Sequence, residues 1–165
     1  MTNATDELIA KILAREGGVA DVGDGKGITR WGQTPGWLVQ FNLPIPTNIT
    51  EAAENYRAWL RLTHLDRVIG ETADVLADAV IDWAVHAGHV APIKALQKAL
   101  GVSVDGVIGP ATSAALGRLE RRAVAVGLIA ERADMLGRLI SGKHSNAVYA
   151  HGWMRRLSEH IRALA

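Results

Sequence analysis

Apolar and polar positions follow a helical period over most of the chain. Between Asp6 and Arg15 the apolar residues are Leu8, Ile9, Ile12 and Leu13. That is the i, i+1, i+4, i+5 spacing of a helix with one buried stripe. Thr5 reads as its N-cap, and Asp6 and Glu7 fall in the first turn, where the helix dipole favours negative charge. Gly17-Gly18 ends it, because glycine reaches the left-handed conformation that closes a helix. A second helix is predicted from a Thr50 cap to Leu62. A third starts at a Thr72 cap and runs to Ala87. Val75, Leu76, Ala79, Val80, Trp83 and Ala87 make it apolar nearly all round, as in a central buried helix. Further helices are predicted over 110–117, 119–140 and 146–164. Strand patterning is weak everywhere except the 17–34 segment, where a short β-hairpin fits. The fold class is therefore all-α and mainly helical.

Composition narrows the functions. The 165 residues are 48% hydrophobic, enough for a substantial core. A formal net charge of +1 names no partner, and no basic stripe with interleaved aromatics points to nucleic acid. Cysteine is absent, which excludes disulfides, thiol nucleophiles and Cys-zinc sites. No run of about 18 apolar residues suggests a membrane span. The polar start, Met1 to Glu7, lacks the features of a signal peptide. Synthesis in the cytoplasm is the expectation. His86 and His89 have no third ligand near them in sequence, so neither a metal nor another cofactor is expected. The charges Glu120, Arg121, Arg122, Glu131, Arg132 and Asp134 read as a solvated helix face. Asp78 and Asp82 share one face of the apolar helix. A buried carboxylate needs a partner, here either a neighbouring loop or a role beside a cleft.

One segment carries chemistry. Glu16 sits at the C-terminal end of the first helix, beside unpaired carbonyls and the negative pole of the dipole. That is a poor place for a carboxylate meant only to stabilise the helix. A potential that disfavours ionisation suits a proton donor. A solvated Glu beside Lys11 and Arg15 is the plain alternative. After Glu16 the chain is dense in glycine (Gly17, Gly18, Gly23, Gly25, Gly27, Gly32 and Gly36) and carries Asp21, Asp24, Thr29, Gln33 and Thr34. Such a loop permits tight turns and close backbone approach to a ligand. Glycosidases need a proton donor and a second group that attacks the sugar or activates water. Asp21 or Asp24 can face Glu16 across a hairpin, and Thr29 or Thr34 can orient water. Trp31 and Trp37 serve either as sugar platforms or as core.

These residues carry a resemblance. Ile12-Leu13-x-x-Glu16-Gly17-Gly18, followed by Asp24-x-x-Gly27-x-Thr29-x-x-Gly32-x-Thr34, resembles the lysozyme-like N-acetylmuramidases of glycoside hydrolase family 108, found in bacteria, phages and prophages. The segment Tyr56-Arg57-Ala58-Trp59 resembles the helix that follows the catalytic loop there. The resemblance implies that Glu16 is the catalytic acid. It departs at Val19-Ala20, where the family has an aromatic, and at Lys26-Gly27, where it has a glycine pair. From Ile81 onward the chain resembles the peptidoglycan-binding domain usually joined to these enzymes. The matching residues are 81–88 (with His86 where Asn is usual), Ala95-Leu96-Gln97-x-x-Leu100-Gly101, and Val104-Asp105-Gly106-Val107-Ile108-Gly109-Pro110-x-Thr112. Gly152-Trp153-x-x-Arg156 matches more weakly. The expected organisation is a muramidase region over 1–80 and a peptidoglycan-binding-like region over 81–165, packed as one body.

The reading is a muramidase that cuts the β-1,4 bond between N-acetylmuramic acid and N-acetylglucosamine. Glu16, Asp24 and Thr29 are assigned to catalysis; Asp21, Gly27, Trp31, Gln33 and Thr34 are assigned to substrate binding. A lytic transglycosylase and a non-catalytic wall-binding or phage-like particle protein are the alternatives. Peptidoglycan is the expected partner of a monomeric chain, reached after release through a route such as a holin-type pore.

Overall fold

The computed structural model describes residues 3–21 and 27–165, and the chain is mainly helical, as its periodicity predicts. Its contacts divide it into two units, Met1–Ala73 and Asp74–Ala165.

The first unit is built on two packed helices. Helix α1 spans Ala4–Glu16 and buries Leu8, Ile9 and Ile12. Each such side chain contributes roughly 1.5–3 kcal/mol when fully buried. The helix begins before the expected Thr5 cap, because Asn3 accepts the amide of Asp6 at 2.9 Å. Helix α1 packs on α3 (Ile49–Leu62), and Arg57 of α3 clamps Asp6 with two N–H groups at 2.8 and 3.0 Å. The cap of α3 is Asn48, not Thr50: its side chain accepts the Glu51 amide, while Glu51 accepts the Thr47 amide. This reciprocal pairing is a close variant of the capping box.

Between them in sequence lies α2 (Pro35–Gln40), which is not among the helices predicted from the patterning. Thr34 caps it and Pro35 opens it, a position that needs no amide hydrogen. Helix α2 delivers Trp37 into an aromatic cluster with Phe41, Tyr56 and Trp59, at ring separations of 5.4–5.7 Å. The rings are tilted, the arrangement that opposes positive edges to negative faces.

The second unit wraps around α4 (Val75–Ala87), in which every residue from Leu76 to Ala84 is buried. Asp74 caps it by accepting the Ala77 amide, two residues beyond the expected Thr72. Around α4 stand α5 (Val90–Leu100), α7 (Arg121–Gly142) and α8 (Ala147–Arg162), with α6 (Pro110–Leu116) beside α5.

Burying α4 on all sides takes Asp82 with it. The Arg132 guanidinium donates to one Asp82 oxygen at 2.8 Å, and Arg156 donates to the other at 2.9 Å. The partners are thus two arginines on α7 and α8, rather than a loop. Arg132 is only 4% exposed, which corrects its reading as part of a solvated face. Arg121 is likewise half-buried and paired with Asp74. Burial alone pushes the Asp82 carboxyl up, but Arg132, with His160 and Arg156, outweighs it and holds the group at about 2.

Candidate functional site

Glu16 is the last residue of α1, and Gly17 follows it at φ +72°. That left-handed value turns the chain out of the helix into a two-stranded antiparallel sheet. Strand β1 (Val19–Ala20) pairs with β2 (Thr29–Arg30), with Val19 opposite Arg30 and Ala20 opposite Thr29. The expected hairpin therefore forms. Asp24 lies outside the described residues.

Beyond β2 the chain makes a second tight turn. Arg30 and Gln33 exchange backbone hydrogen bonds of 3.1 and 2.9 Å around Trp31-Gly32. Trp31 has φ +49° and Gly32 has φ +80°. A two-residue turn of the primed type needs positive φ at both positions. Glycine meets this at no steric cost, whereas a bulky residue is strained there. Polar contacts hold the strained unit in place. The Trp31 amide donates to the Gly18 carbonyl at 2.9 Å, and the Tyr56 hydroxyl donates to the Trp31 carbonyl at 2.8 Å.

This turn rests on Glu16. A Cβ built on Gly32 would lie 2.7 Å from Glu16 Cγ and 2.7 Å from the Tyr56 hydroxyl oxygen. Only a glycine lets the backbone sit this close to the carboxylate's stem. The Glu16 side chain is thereby bounded by the turn and by α3. Its Oε1 is shielded from solvent, although the residue as a whole is half-buried.

The other predicted residues divide in two groups. Thr29 is half-buried on β2, Asp21 is exposed just after β1, and Trp31 is half-buried in the turn. Gly27 has φ +85° and passes close to Pro35, where an added Cβ would meet the ring at 3.2 Å. These residues border the hairpin that follows Glu16. Gln33 and Thr34 have structural partners instead. Gln33 is 1% exposed; its amide donates to the Ala52 carbonyl and accepts from Asn55, each at 2.8 Å. It ties the turn to α3. The Thr34 hydroxyl accepts the Trp37 amide at the start of α2. Trp37 belongs to the aromatic cluster.

The sequence marks Tyr56 only as part of the helix segment that carries the resemblance, and it gives no sign of Asn55 or of the close approach at Gly32. Gly32 and Tyr56 are separated by a helix and a loop, so local spacing carries no sign of their meeting. The glycine run was the only available signal.

The second unit has a motif with its own internal logic. Gln97 is 1% exposed on α5. Its amide nitrogen donates to Asp105 at 2.7 Å and to the Val107 carbonyl at 2.9 Å, while its oxygen accepts the Gly106 amide at 2.8 Å. Gly106 has φ +83°, and a Cβ there would meet Val90 and Lys94 at 3.1 and 3.2 Å. The Asp-Gly turn and its glutamine therefore have a structural explanation.

Among the described residues, no group of three or more His, Asp or Glu side chains is placed to hold a metal ion. No helix among them is long and apolar enough to cross a membrane.

Residues 91–158 match the family described as Predicted Peptidoglycan domain, which supports a peptidoglycan-associated role for the chain. No curated protein matches it. Among solved structures the chain is similar to Brucella abortus SagA, at 26% identity and a TM-score of 0.70. That likeness covers 97% of this chain and 93% of SagA.

Proposed function

We propose that the chain is a peptidoglycan hydrolase of the N-acetylmuramidase type, with Glu16 as its general acid. The observation that carries this reading is the seating of Glu16. A carboxylate at a helix end, with its stem packed against a strained glycine turn, is held in one place before any ligand arrives. Preorganisation of that kind is what proton transfer to a leaving oxygen requires. A solvated glutamate beside Lys11 and Arg15 would need no such turn.

In this reading the glycan lies along the hairpin, and Glu16 protonates the oxygen of the β-1,4 bond as it leaves N-acetylmuramic acid. Positive charge then develops at the anomeric carbon. Asp21 or Asp24 stabilises it or activates water, and Thr29 orients that water. The spacing between the acid and its partner decides whether the product is inverted or retained. The second unit, by its peptidoglycan-domain match, keeps the enzyme on the wall. That match by itself also fits a wall-binding protein without hydrolytic activity, which is the second reading.

Product analysis separates the readings. Purified peptidoglycan is digested with the chain, and the fragments are analysed by mass spectrometry after borohydride reduction. Reducible N-acetylmuramic acid ends support the muramidase. Terminal 1,6-anhydro rings would mean transglycosylation instead. Intact glycan with the protein bound to it would leave the wall-binding reading.

A further inference from the structure

The motif Gly152-Trp153-x-x-Arg156 divides once it is placed on α8. Arg156 serves the fold, since its guanidinium donates to Asp82. Gly152 is exposed in mid-helix, and Trp153 is half-buried. Glycine inside a helix is destabilising relative to alanine. Crowding can justify one where a Cβ would collide. At Gly152 it does not, because an added Cβ would meet nothing within 4 Å. The residue therefore leaves an open notch on the outside of α8 that packing within the chain does not require.

Beside the notch stands an aromatic step. Tyr149, Gly152 and Trp153 fall at i, i+3 and i+4, on one side of the helix. Trp153 stacks on Tyr149, with ring centroids 5.7 Å apart and planes 25° from parallel. Tyr149 is 58% exposed, so Trp153 backs one face of its ring while the other meets solvent. Arg155, one turn beyond Gly152, is exposed, and the Glu159 carboxylate lies 4.0 Å from it. A flat aromatic face, a strip of bare helix and a cation with donors thus adjoin one another.

We propose that Tyr149, Gly152 and Trp153 form a platform for a sugar ring of the peptidoglycan glycan strand. The C–H face of a pyranose lies on the open Tyr149 ring, whose negative face attracts those hydrogens. The edge of the sugar enters the notch at Gly152, and Arg155 donates to its hydroxyls. Two rings offer too little apolar area for a protein partner, which needs roughly 800 Å² on each side. All three platform residues lie within the 91–158 stretch that matches the peptidoglycan domain. The inference rests on the peptidoglycan reading and deepens it, since it names which part of the wall polymer the second unit holds and where.

The test uses the full chain carrying Glu16→Gln, so that the sugar stays intact, with ¹⁵N labelling of the indoles. The Trp153 signal is assigned by its loss in Trp153→Phe. A soluble β-1,4 oligomer of N-acetylglucosamine is titrated in, and a wall stem peptide is titrated separately. The proposal expects the Trp153 signal to move with the sugar and not with the peptide. Tyr149→Ala, at an exposed position, should weaken binding about tenfold. Gly152→Gln should weaken it by a similar factor while raising the thermal unfolding midpoint, because glutamine is the better helix former. A glycine with a purely structural role would not move binding and stability in opposite directions. An unmoved Trp153 signal overturns the proposal, as do a response to the peptide alone and undiminished binding in Gly152→Gln. A Trp153 signal that shifts with protein concentration and not with sugar would mean a protein contact and overturns it too. Wall cleavage by the native chain without a Trp153 response defeats this site alone. A Trp153 response in a chain that cuts nothing defeats the hydrolase reading alone.

Discussion

The loop beside Glu16 and the α4 core of the second unit fix their buried polar groups by different means. Around Glu16 the locks are neutral: Gln33, Asn55 and Tyr56 reach from the turn to α3 and back, largely through backbone carbonyls. At the α4 core the lock is ionic, with the buried Asp82 carboxylate held between Arg132 and Arg156. Neutral side-chain-to-backbone bonds fix the path of a loop without adding a charge of their own beside the carboxylate proposed as the proton donor. An ion triad instead pins three helices together, at a desolvation cost that only complete pairing offsets. The loop needs a precise shape, whereas the bundle needs a single helix register.

The sharpest way to break this comparison is to remove one ionic partner. Arg132→Met leaves Asp82 with Arg156 as its remaining arginine and should destabilise the second unit by about 3 kcal/mol, read by denaturant unfolding. The double variant Arg132→Met with Asp82→Leu should recover only part of that loss, because Arg156 then lacks Asp82. If the single variant were neutral, the triad would not be what holds the helices.

Next is Gly32→Ala, aimed at the neutral lock. The new Cβ meets Glu16 and Tyr56 at 2.7 Å on a backbone already at φ +80°. Glu16 must shift, and a displacement near 1 Å in a reacting group costs on the order of 10²-fold in rate. Wall cleavage should fall by about that factor while circular dichroism keeps the helical signal. An unchanged rate would mean that the turn does not set the position of Glu16.

The ionic lock also titrates. Asp82 is held at about 2 against an ordinary 3.8. Its stabilising contribution is complete above pH 3.8 and is lost as pH falls through 2. Acid unfolding of the second unit should steepen in that window, and Asp82→Asn should flatten it. The bonds made by Gln33, Asn55 and Tyr56 involve no titrating group there.

The smallest effect is expected from Tyr56→Phe. It leaves the Trp31 carbonyl without its hydroxyl donor and should cost about 0.5–1.5 kcal/mol in stability. Activity should fall less than for Gly32→Ala, because the turn relaxes without colliding with Glu16.

What could be read from the chain beforehand follows from how local each signal is. The α1 stripe, the glycine stop after Glu16, the hairpin and the apolar α4 all rest on neighbours in sequence, and each is present. Helix starts lie two residues from the expected ones because Asn3, Asn48 and Asp74 compete with nearby threonines for the capping role, and patterning does not rank them. Arg132 was misread because its partner is fifty residues away. On a helix surface, a charged residue in a mixed run looks solvated until another helix arrives. Gln33 and Thr34 look like sugar contacts by residue type, yet their polar atoms serve α3 and α2. Tyr56 gave no sign of its bond to Trp31, since nothing in a helical pattern marks which hydroxyl will meet a distant carbonyl.

The central claim is that Glu16 is the proton donor of a wall-cutting enzyme. Its most direct test is the release of new reducing ends from purified peptidoglycan by the native chain and by Glu16→Gln, with wall binding measured on the same samples. The account predicts clear release by the native chain and a fall of about 10²–10⁴-fold in the variant, with binding retained. Equal release by both proteins would contradict it and move the acid elsewhere.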